Sequence, residues 1–85
     1  MTEAIFVGLD IGGTKTAVGL FDESGECVIS YVNPTPAGKD AEQLFPFFCA
    51  TILRAFRKAR ISLDRLKGIG VGVPGAVNSR TGDIL

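Results

Sequence analysis

The stretch Asp10-Ile11-Gly12-Gly13-Thr14-Lys15-Thr16 lies between two apolar runs, Ala4–Leu9 before it and Ala17–Phe21 after it. Short apolar runs bounded by glycine and polar residues are typical of β-strands. An acidic residue ends the first run, and two glycines supply a corner between the runs. The sequence therefore predicts a strand over residues 4–9 and a second over residues 15–22, joined by a short glycine turn.

The side chains and glycines of this turn are suited to binding phosphate. Glycine has no Cβ and tolerates positive φ, so its backbone N–H can approach an anion closely. The hydroxyls of Thr14 and Thr16 and the charge of Lys15 complement phosphate oxygens. Asp10 would repel a bare phosphate but would hold Mg²⁺, usually through water. The alternative is a plain tight turn with polar residues around it, since glycine turns are common.

Two named nucleotide motifs are excluded. The P-loop pattern G-x-x-x-x-G-K-[ST] almost fits from Gly8, but Thr14 stands where the lysine should be, and a strand follows instead of a helix. Gly70-x-Gly72-x-x-Gly75 matches the dinucleotide fingerprint only in its letters. Pro74 interrupts that match, and residues 78–82 have the composition of a turn and not of a helix.

The rest of the chain predicts three more strands and one helix. A hairpin turn at residues 22–25 leads into a third strand over residues 26–32, and a loop at 33–38 follows. Asp40 and Gln43 form a capping-box pattern ahead of a helix, although Pro46 should bend that helix or delay its start. Its apolar residues recur at helical spacing and should pack on the sheet: Leu44, Phe45, Phe48, Cys49, Ile52, Leu53, Phe56 and Ala59.

The fourth strand, residues 68–73, has glycine at every second position, which leaves one of its faces bare. Asp83–Leu85 resemble the start of a fifth strand. A right-handed crossover through the helix would place the fourth strand parallel to the first, in the order 3-2-1-4, and the first strand should be buried on both faces. The carboxyl ends of these two strands would then be neighbours. We expect a ligand there, between Asp10–Lys15 and Pro74–Ala76.

Composition restricts the classes of function. The 85 residues include nine acidic and nine basic side chains, so net charge favours neither nucleic acid nor a membrane surface as a partner. Histidine is absent, which excludes a zinc site or a Ser-His or Cys-His pair in this chain. Cys27 and Cys49 lack metal-binding spacing and are expected to be small core residues. No leader or transmembrane run is present in this sequence, which predicts a cytoplasmic protein.

The motif at Asp10–Thr16 is similar to the first phosphate motif of the sugar kinase, actin and heat-shock ATPase superfamily. With Gly68–Asn78 and Thr81–Leu85, it resembles the ROK family (repressors, open reading frames and kinases) from about Ile5 to Leu85. The resemblance implies an α/β fold, the ribonuclease H-like (actin-like ATPase) N-terminal lobe. Residues 1–85 would be an incomplete part of that lobe, with a sheet of order 3-2-1-4, a fifth strand beyond, and one main helix.

The resemblance also implies an ATP-dependent sugar kinase related to glucokinase, fructokinase or N-acetylhexosamine kinase. Its cofactors would be ATP and Mg²⁺, its assembly a homodimer, and the family's zinc site would lie outside this segment. Asp10 would hold Mg²⁺ through water, and the ATP phosphates would contact Gly12, Gly13, Thr14 and Lys15. The loop after the fourth strand borders the sugar in this family, which implies sugar contacts at Gly75, Ala76 and Asn78.

This segment lacks a part that catalysis requires in the family, and a second function remains open beside the kinase. The family's catalytic base, an aspartate in an Asn-Asp motif, has no counterpart here, so the 85-residue chain alone should be inactive. The alternative is the sugar-sensing lobe of a ROK transcriptional repressor, which carries a helix-turn-helix domain ahead of the lobe. The first strand begins about four residues after Met1, which favours the kinase if Met1 is the native start. The sequence does not identify the sugar.

Overall fold

The computed structural model describes residues 3–72 as a four-stranded mixed sheet with one long helix. The elements in chain order are β1 (Ile5–Ile11), β2 (Lys15–Phe21), β3 (Cys27–Pro34), α1 (Ala41–Ala59), a short 3-10 helix (Leu63–Arg65) and β4 (Leu66–Gly72). The sheet order is β3-β2-β1-β4, with β1 antiparallel to β2 and parallel to β4. The predicted order of these strands is confirmed. The predicted fifth strand lies outside the described residues.

One face of the sheet packs against α1 and forms the core. Alternate residues of a strand point to the same face, so β1 and β2 each contribute every second side chain. The buried apolar residues are Ile5, Val7, Leu9, Val18, Leu20, Ala55 and Phe56. Burying a large apolar side chain stabilises a fold by about 1.5–3 kcal/mol. This cluster therefore holds the helix on the sheet, where α1 lies nearest to β2 and β3.

The opposite face of the sheet is open, so the prediction that β1 is buried on both faces is wrong. Phe6 is 42% exposed and Asp10 is also exposed, although Ile5, Val7 and Leu9 of the same strand are buried. The reason is that α1, the one long helix among residues 3–72, covers a single face. Phe6 and Gly8 both lie on this open side. Neither is polar, so the apolar run in the sequence of β1 is nearly continuous although only one face of the strand is covered.

Glycines form the floor of the open face. Gly8 lies in register with Gly19 on β2 and Gly70 on β4, and Ser30 continues the row on β3. The ring of Phe21 folds over two of these glycines, since a Cβ on Gly19 would lie 2.9 Å from Phe21 Cε2. The result is a shallow trough of about 530 Å³ with a backbone floor. The bare face expected from the alternating glycines of β4 is confirmed.

The start of α1 is fixed by the predicted capping box. The Asp40 carboxylate accepts a hydrogen bond from the Gln43 amide at 2.8 Å, and the Gln43 side chain accepts one from the Asp40 amide at 2.9 Å. Pro46 does not delay the start, because the helix begins at Ala41. Its missing N–H leaves only the carbonyl of Glu42, in an exposed first turn, without that helical partner. The helix ends at Ala59, and the C-cap residue Arg60 has a left-handed φ of 57°.

The side of α1 that faces the sheet differs in part from the predicted one. The buried residues are Thr51, Ala55 and Phe56, and the predicted Phe48, Ile52 and Ala59 pack partly against the core. Phe45, Cys49 and Leu53 are exposed instead. These three are spaced four apart and follow one side of the helix, and that side is turned away from the sheet. Cys27 is exposed as well, so the prediction that both cysteines are core residues is wrong.

Tyr31 joins β3 to α1. Its hydroxyl donates a hydrogen bond to the Thr51 carbonyl at 2.8 Å, and the Lys58 ammonium lies 4.7 Å from the centre of its ring. Burial raises the pKa of Tyr31, and the nearby positive charge of Arg54 acts in the opposite direction. The neutral phenol is therefore the form that the folded chain favours.

Replacing Tyr31 by Phe should lower the free energy of unfolding by about 1 kcal/mol, because the ring stays and one hydrogen bond to the helix is lost. Urea unfolding at neutral pH measures the change. Phe45→Leu alters an exposed ring on α1 and serves as the control, with an expected change within about 0.5 kcal/mol. Equal stability of Tyr31→Phe and the unsubstituted chain would contradict the role given to this hydrogen bond.

The same residue predicts a pH dependence at the alkaline end. Because the folded-state pKa of Tyr31 lies above its ordinary value of 10.0, folding favours the protonated phenol. The stability it contributes is fully present below that value and is lost as pH rises through the folded-state pKa. Urea unfolding between pH 9 and about 11.5 should show a steeper loss in the unsubstituted chain than in Tyr31→Phe. Parallel curves would contradict this assignment.

Candidate functional site

The turn between β1 and β2 is tight. The Gly12 amide donates a hydrogen bond to the Lys15 carbonyl at 2.8 Å. A Cβ on Gly12 would lie 2.7 Å from that same oxygen, so a larger residue does not fit without a backbone shift. Among the residues that the structure describes, the glycines with positive φ are Gly25 and Gly38. Gly12 therefore serves through the close approach of the backbone, and neither Gly12 nor Gly13 has a left-handed conformation.

The tip of this turn presents hydrogen-bond donors to solvent. Gly13, Thr14 and Lys15 are all exposed. Within the described part of the chain, the amides of Gly13 and Thr14 donate to no other group. The Gly12 amide is already engaged, so its contribution is the shape of the turn. The structure thus brings together two unpartnered N–H groups, the Thr14 hydroxyl and the Lys15 ammonium, a set of groups that can bind an anion.

Thr16 is not part of this exposed set, contrary to the expectation from its sequence position. Its side chain is completely buried on the helix-facing side of β2. Its hydroxyl lies 2.6 Å from the hydroxyl of Thr35, in the loop after β3. The reason is strand alternation, which sends Thr16 to the same face as the buried Val18 and Leu20.

Thr35 is a contact of the turn that the sequence analysis did not identify. Its hydroxyl donates to the Gly12 carbonyl at 3.0 Å, and its amide donates to the Thr14 carbonyl at 2.9 Å. β3 extends two residues beyond the predicted end, because Asn33 and Pro34 pair with β2. This extension carries Thr35 to the back of the turn. The only signal in the sequence is a threonine held between two prolines directly after a strand.

Asp10 lies at the carboxyl end of β1, with its carboxylate on the open face. It pairs with Gly72 of β4, on which a Cβ would lie 3.7 Å from Asp10 Oδ1. Asp10 forms no ion pair with Lys15, and the ion pair found within residues 3–72 joins Arg65 to Glu3 at 3.8 Å. The same residues contain no cluster of three metal-binding side chains. A lone carboxylate of this kind suits Mg²⁺ that keeps its waters and is also held by phosphate.

The carboxyl ends of β1 and β4 are neighbours, as predicted, because the two strands are parallel and Asp10 lies opposite Gly72. The carboxyl end of β4 therefore lies beside the turn. The residues predicted to contact sugar, Gly75, Ala76 and Asn78, lie outside the described residues.

The arrangement of this turn, sheet and helix is shared with known proteins. The model of the ROK family matches residues 6–85. The chain belongs to the ROK family. It is 37% identical over 78 residues to the N-acetyl-D-glucosamine kinase of Haemophilus influenzae, an alignment that covers 92% of this chain and 24% of the kinase. A xylose repressor of Caldicellulosiruptor bescii is 28% identical over 79 residues, covering 93% of this chain and 20% of the repressor.

Among solved structures, this ROK chain is similar to a ROK family glucokinase from Streptomyces griseus in complex with glucose and AMPPNP. The TM-score is 0.63 at 32% sequence identity, over 88% of this chain and 21% of the glucokinase. The chain therefore spans about a quarter or less of the length of these relatives, and its fold is that of the actin-like sugar kinases. No helix of residues 3–72 is long and apolar enough to cross a membrane.

The two glycines of the turn should respond differently to alanine. Gly12→Ala places a Cβ against the Lys15 carbonyl, and such overpacking typically costs about 1–3 kcal/mol. Gly13→Ala is the matched control, because nothing lies within 4 Å of its Cβ position and the expected change is within about 0.5 kcal/mol. Urea unfolding of both variants measures the difference. Equal destabilisation by the two substitutions would contradict the geometry of the turn.

Proposed function

We propose that this chain is the N-terminal part of an ATP-dependent sugar kinase and that its β1–β2 turn binds the ATP phosphates. The observation that carries the proposal is the exposed turn tip, where the Gly13 and Thr14 amides have no partner within residues 3–72 and Lys15 adds a positive charge. Its ROK relatives include kinases of N-acetyl-D-glucosamine and glucose. A phosphoryl group is the anion that such enzymes move.

Each residue has a distinct part in this proposal. The Gly13 and Thr14 amides and the Thr14 hydroxyl donate to phosphate oxygens, and Lys15 offsets their charge. Gly12 keeps the turn tight so that these donors converge. Asp10 holds Mg²⁺ through water on the open side of β1. When bound, Mg²⁺ neutralises charge that develops as the terminal phosphoryl group is transferred.

The sugar is proposed to lie at the loop after β4, against Gly75, Ala76 and Asn78. The support for this placement is the parallel pairing of β1 and β4, which places Gly72, the last residue of β4, opposite Asp10. The sugar hydroxyl would then face the phosphates held by the turn. We place the base that accepts the hydroxyl proton outside this segment, so the 85-residue chain alone should not turn over. The full-length kinase is proposed to be a homodimer.

The second candidate is the sugar-sensing lobe of a ROK repressor, which the similarity to a xylose repressor supports. The two candidates differ in what flanks residues 1–85 in the parent gene. A helix-turn-helix domain ahead of this segment would favour the repressor. An Asn-Asp motif and a zinc motif after it would favour the kinase.

The direct test is a coupled assay of ADP formation by the full-length protein, with a panel of hexoses and N-acetylhexosamines. We expect ADP formation that requires both a sugar and Mg²⁺, and none from the 85-residue chain. Absence of turnover with every sugar, together with sugar-dependent release of operator DNA, would replace the kinase by the repressor.

Asp10→Asn separates a metal anchor from a structural carboxylate. Loss of a Mg²⁺ contact removes several kcal/mol of transition-state stabilisation, so kcat of the full-length kinase should fall by roughly a hundredfold or more. The melting temperature should stay nearly constant, because Asp10 is exposed and forms no ion pair in the described residues. Steady-state kinetics across a Mg²⁺ titration, with thermal unfolding alongside, make the comparison.

Glu42→Gln is the control for this substitution, since it removes an exposed carboxylate from the first turn of α1. Its kcat should match that of the unsubstituted kinase. Near-normal turnover of Asp10→Asn at every Mg²⁺ concentration would show that Asp10 does not anchor the metal.

A further inference from the structure

Two threonine hydroxyls form a directed chain of hydrogen bonds behind the turn. Thr35 donates its hydroxyl hydrogen to the Gly12 carbonyl at 3.0 Å. A hydroxyl has one hydrogen to donate, so in the 2.6 Å contact between the two hydroxyls Thr16 is the donor. The chain therefore runs from Thr16 to Thr35 to the Gly12 carbonyl. Its starting point is rigid, because Thr16 is completely buried in the sheet.

Thr35 holds a carbonyl on each side of Gly13. Its hydroxyl binds the carbonyl of Gly12, and its amide binds the carbonyl of Thr14 at 2.9 Å. The described residues contain no cis peptide bond, and in a planar trans peptide the C=O and the next residue's N–H point in opposite directions. Fixing the Gly12 carbonyl towards Thr35 therefore directs the Gly13 N–H away from it. Fixing the Thr14 carbonyl does the same for the Lys15 N–H.

Thr35 is itself held in place by its neighbours. Pro34 ends β3 in register with Lys15 of β2. Pro36 follows, and a residue before proline is restricted to extended conformations. Thr35 is also partly buried. The hydroxyl and the amide of Thr35 thus have a nearly fixed position relative to β2. A donor must be held in this way if it is to orient a neighbouring peptide group.

We infer that Thr35 is a positioning residue for phosphate binding, which acts by fixing the direction of the Gly13 N–H. This inference rests on the proposed function, because it concerns the same turn. Loss of the hydroxyl frees the Gly12–Gly13 peptide to rotate, and misplaced binding groups reduce affinity even when all of them remain present. The expected effect is on nucleotide binding and not on sugar binding, because both hydrogen bonds that Thr35 donates go to carbonyls of the turn.

The test uses the full-length protein and has a readout apart from turnover. Calorimetry measures the Kd for AMPPNP with Mg²⁺, and hydrogen exchange measures the protection of the amides of residues 12–15. Thr35→Val should weaken AMPPNP binding by roughly tenfold to a hundredfold and speed exchange in the turn, with an unchanged KM for the sugar. Thr35→Ser keeps the hydroxyl and should bind AMPPNP within about threefold of the unsubstituted protein.

Two further variants keep the test decisive. Thr35→Ala is a second protein without the hydroxyl, to be used if Thr35→Val does not fold. Ile5→Val trims a buried residue at the other end of β1, so it lowers stability without touching the turn and should leave the Kd unchanged. If Thr35→Ser or Ile5→Val weakens binding as much as Thr35→Val does, loss of stability explains the effect and the inference is wrong.

The failure of this inference can be distinguished from the failure of the proposed function. If the unsubstituted full-length protein binds no AMPPNP and forms no ADP with any sugar, the kinase proposal fails and the inference fails with it. If the unsubstituted protein binds AMPPNP and both hydroxyl-free variants bind it equally well, the turn remains a phosphate site, but Thr35 does not position it.

Discussion

The packing of α1 against one face of the sheet is the contact on which the rest of the structure depends. Ile5, Val7 and Leu9 are buried on that side, so strand alternation sends Asp10 to the open face. A slip of one residue in the register would reverse this and push the carboxylate into the core. Burying an unpaired carboxylate is very costly. The apolar core therefore specifies where the acidic group of the site lies.

The same register places the turn and its support. Because β1 ends at Ile11 and β2 begins at Lys15, residues 12–14 are left to connect the strands, and the Gly12–Lys15 hydrogen bond closes that connection. Thr16 is then buried, and its hydroxyl reaches Thr35 behind the turn. The proposed backbone donors are the amides of Gly13 and Thr14. Thr35 holds their turn from the core side, and the other side of the turn is exposed. Such donors need little reorganisation when a ligand binds.

Much of this fold could be predicted from the sequence, and the exceptions have physical causes. The strand order followed from the glycine turn, the hairpin and the handedness of the crossover, and the capping box fixed where α1 begins. The side of α1 that meets the sheet could not be predicted, since Phe45 and Leu53 are as apolar as the residues that are buried. Neither could the open second face, because burial depends on which elements are there to cover a strand.

The geometry of the candidate site could be predicted where it is local and not where it depends on tertiary contacts. Gly12 to Lys15 are adjacent in sequence, and the turn they form is recognisable from its glycines. Thr35 contacts Thr16 of β2 across 19 residues and Gly12 of the turn across 23 residues, and no spacing rule connects positions so far apart. The sugar contacts at Gly75, Ala76 and Asn78 stay predictions, because these residues lie outside the described part of the chain.

A crystal structure of the full-length protein with Mg²⁺ and AMPPNP would show whether the β1–β2 turn binds the phosphates. We expect phosphate oxygens about 3 Å from the backbone nitrogens of Gly13 and Thr14, with Mg²⁺ joined to Asp10 through a water molecule. The Gly12 carbonyl should still accept its hydrogen bond from Thr35. A nucleotide whose phosphates lie away from the β1–β2 turn would contradict the claim that this turn is the phosphate site.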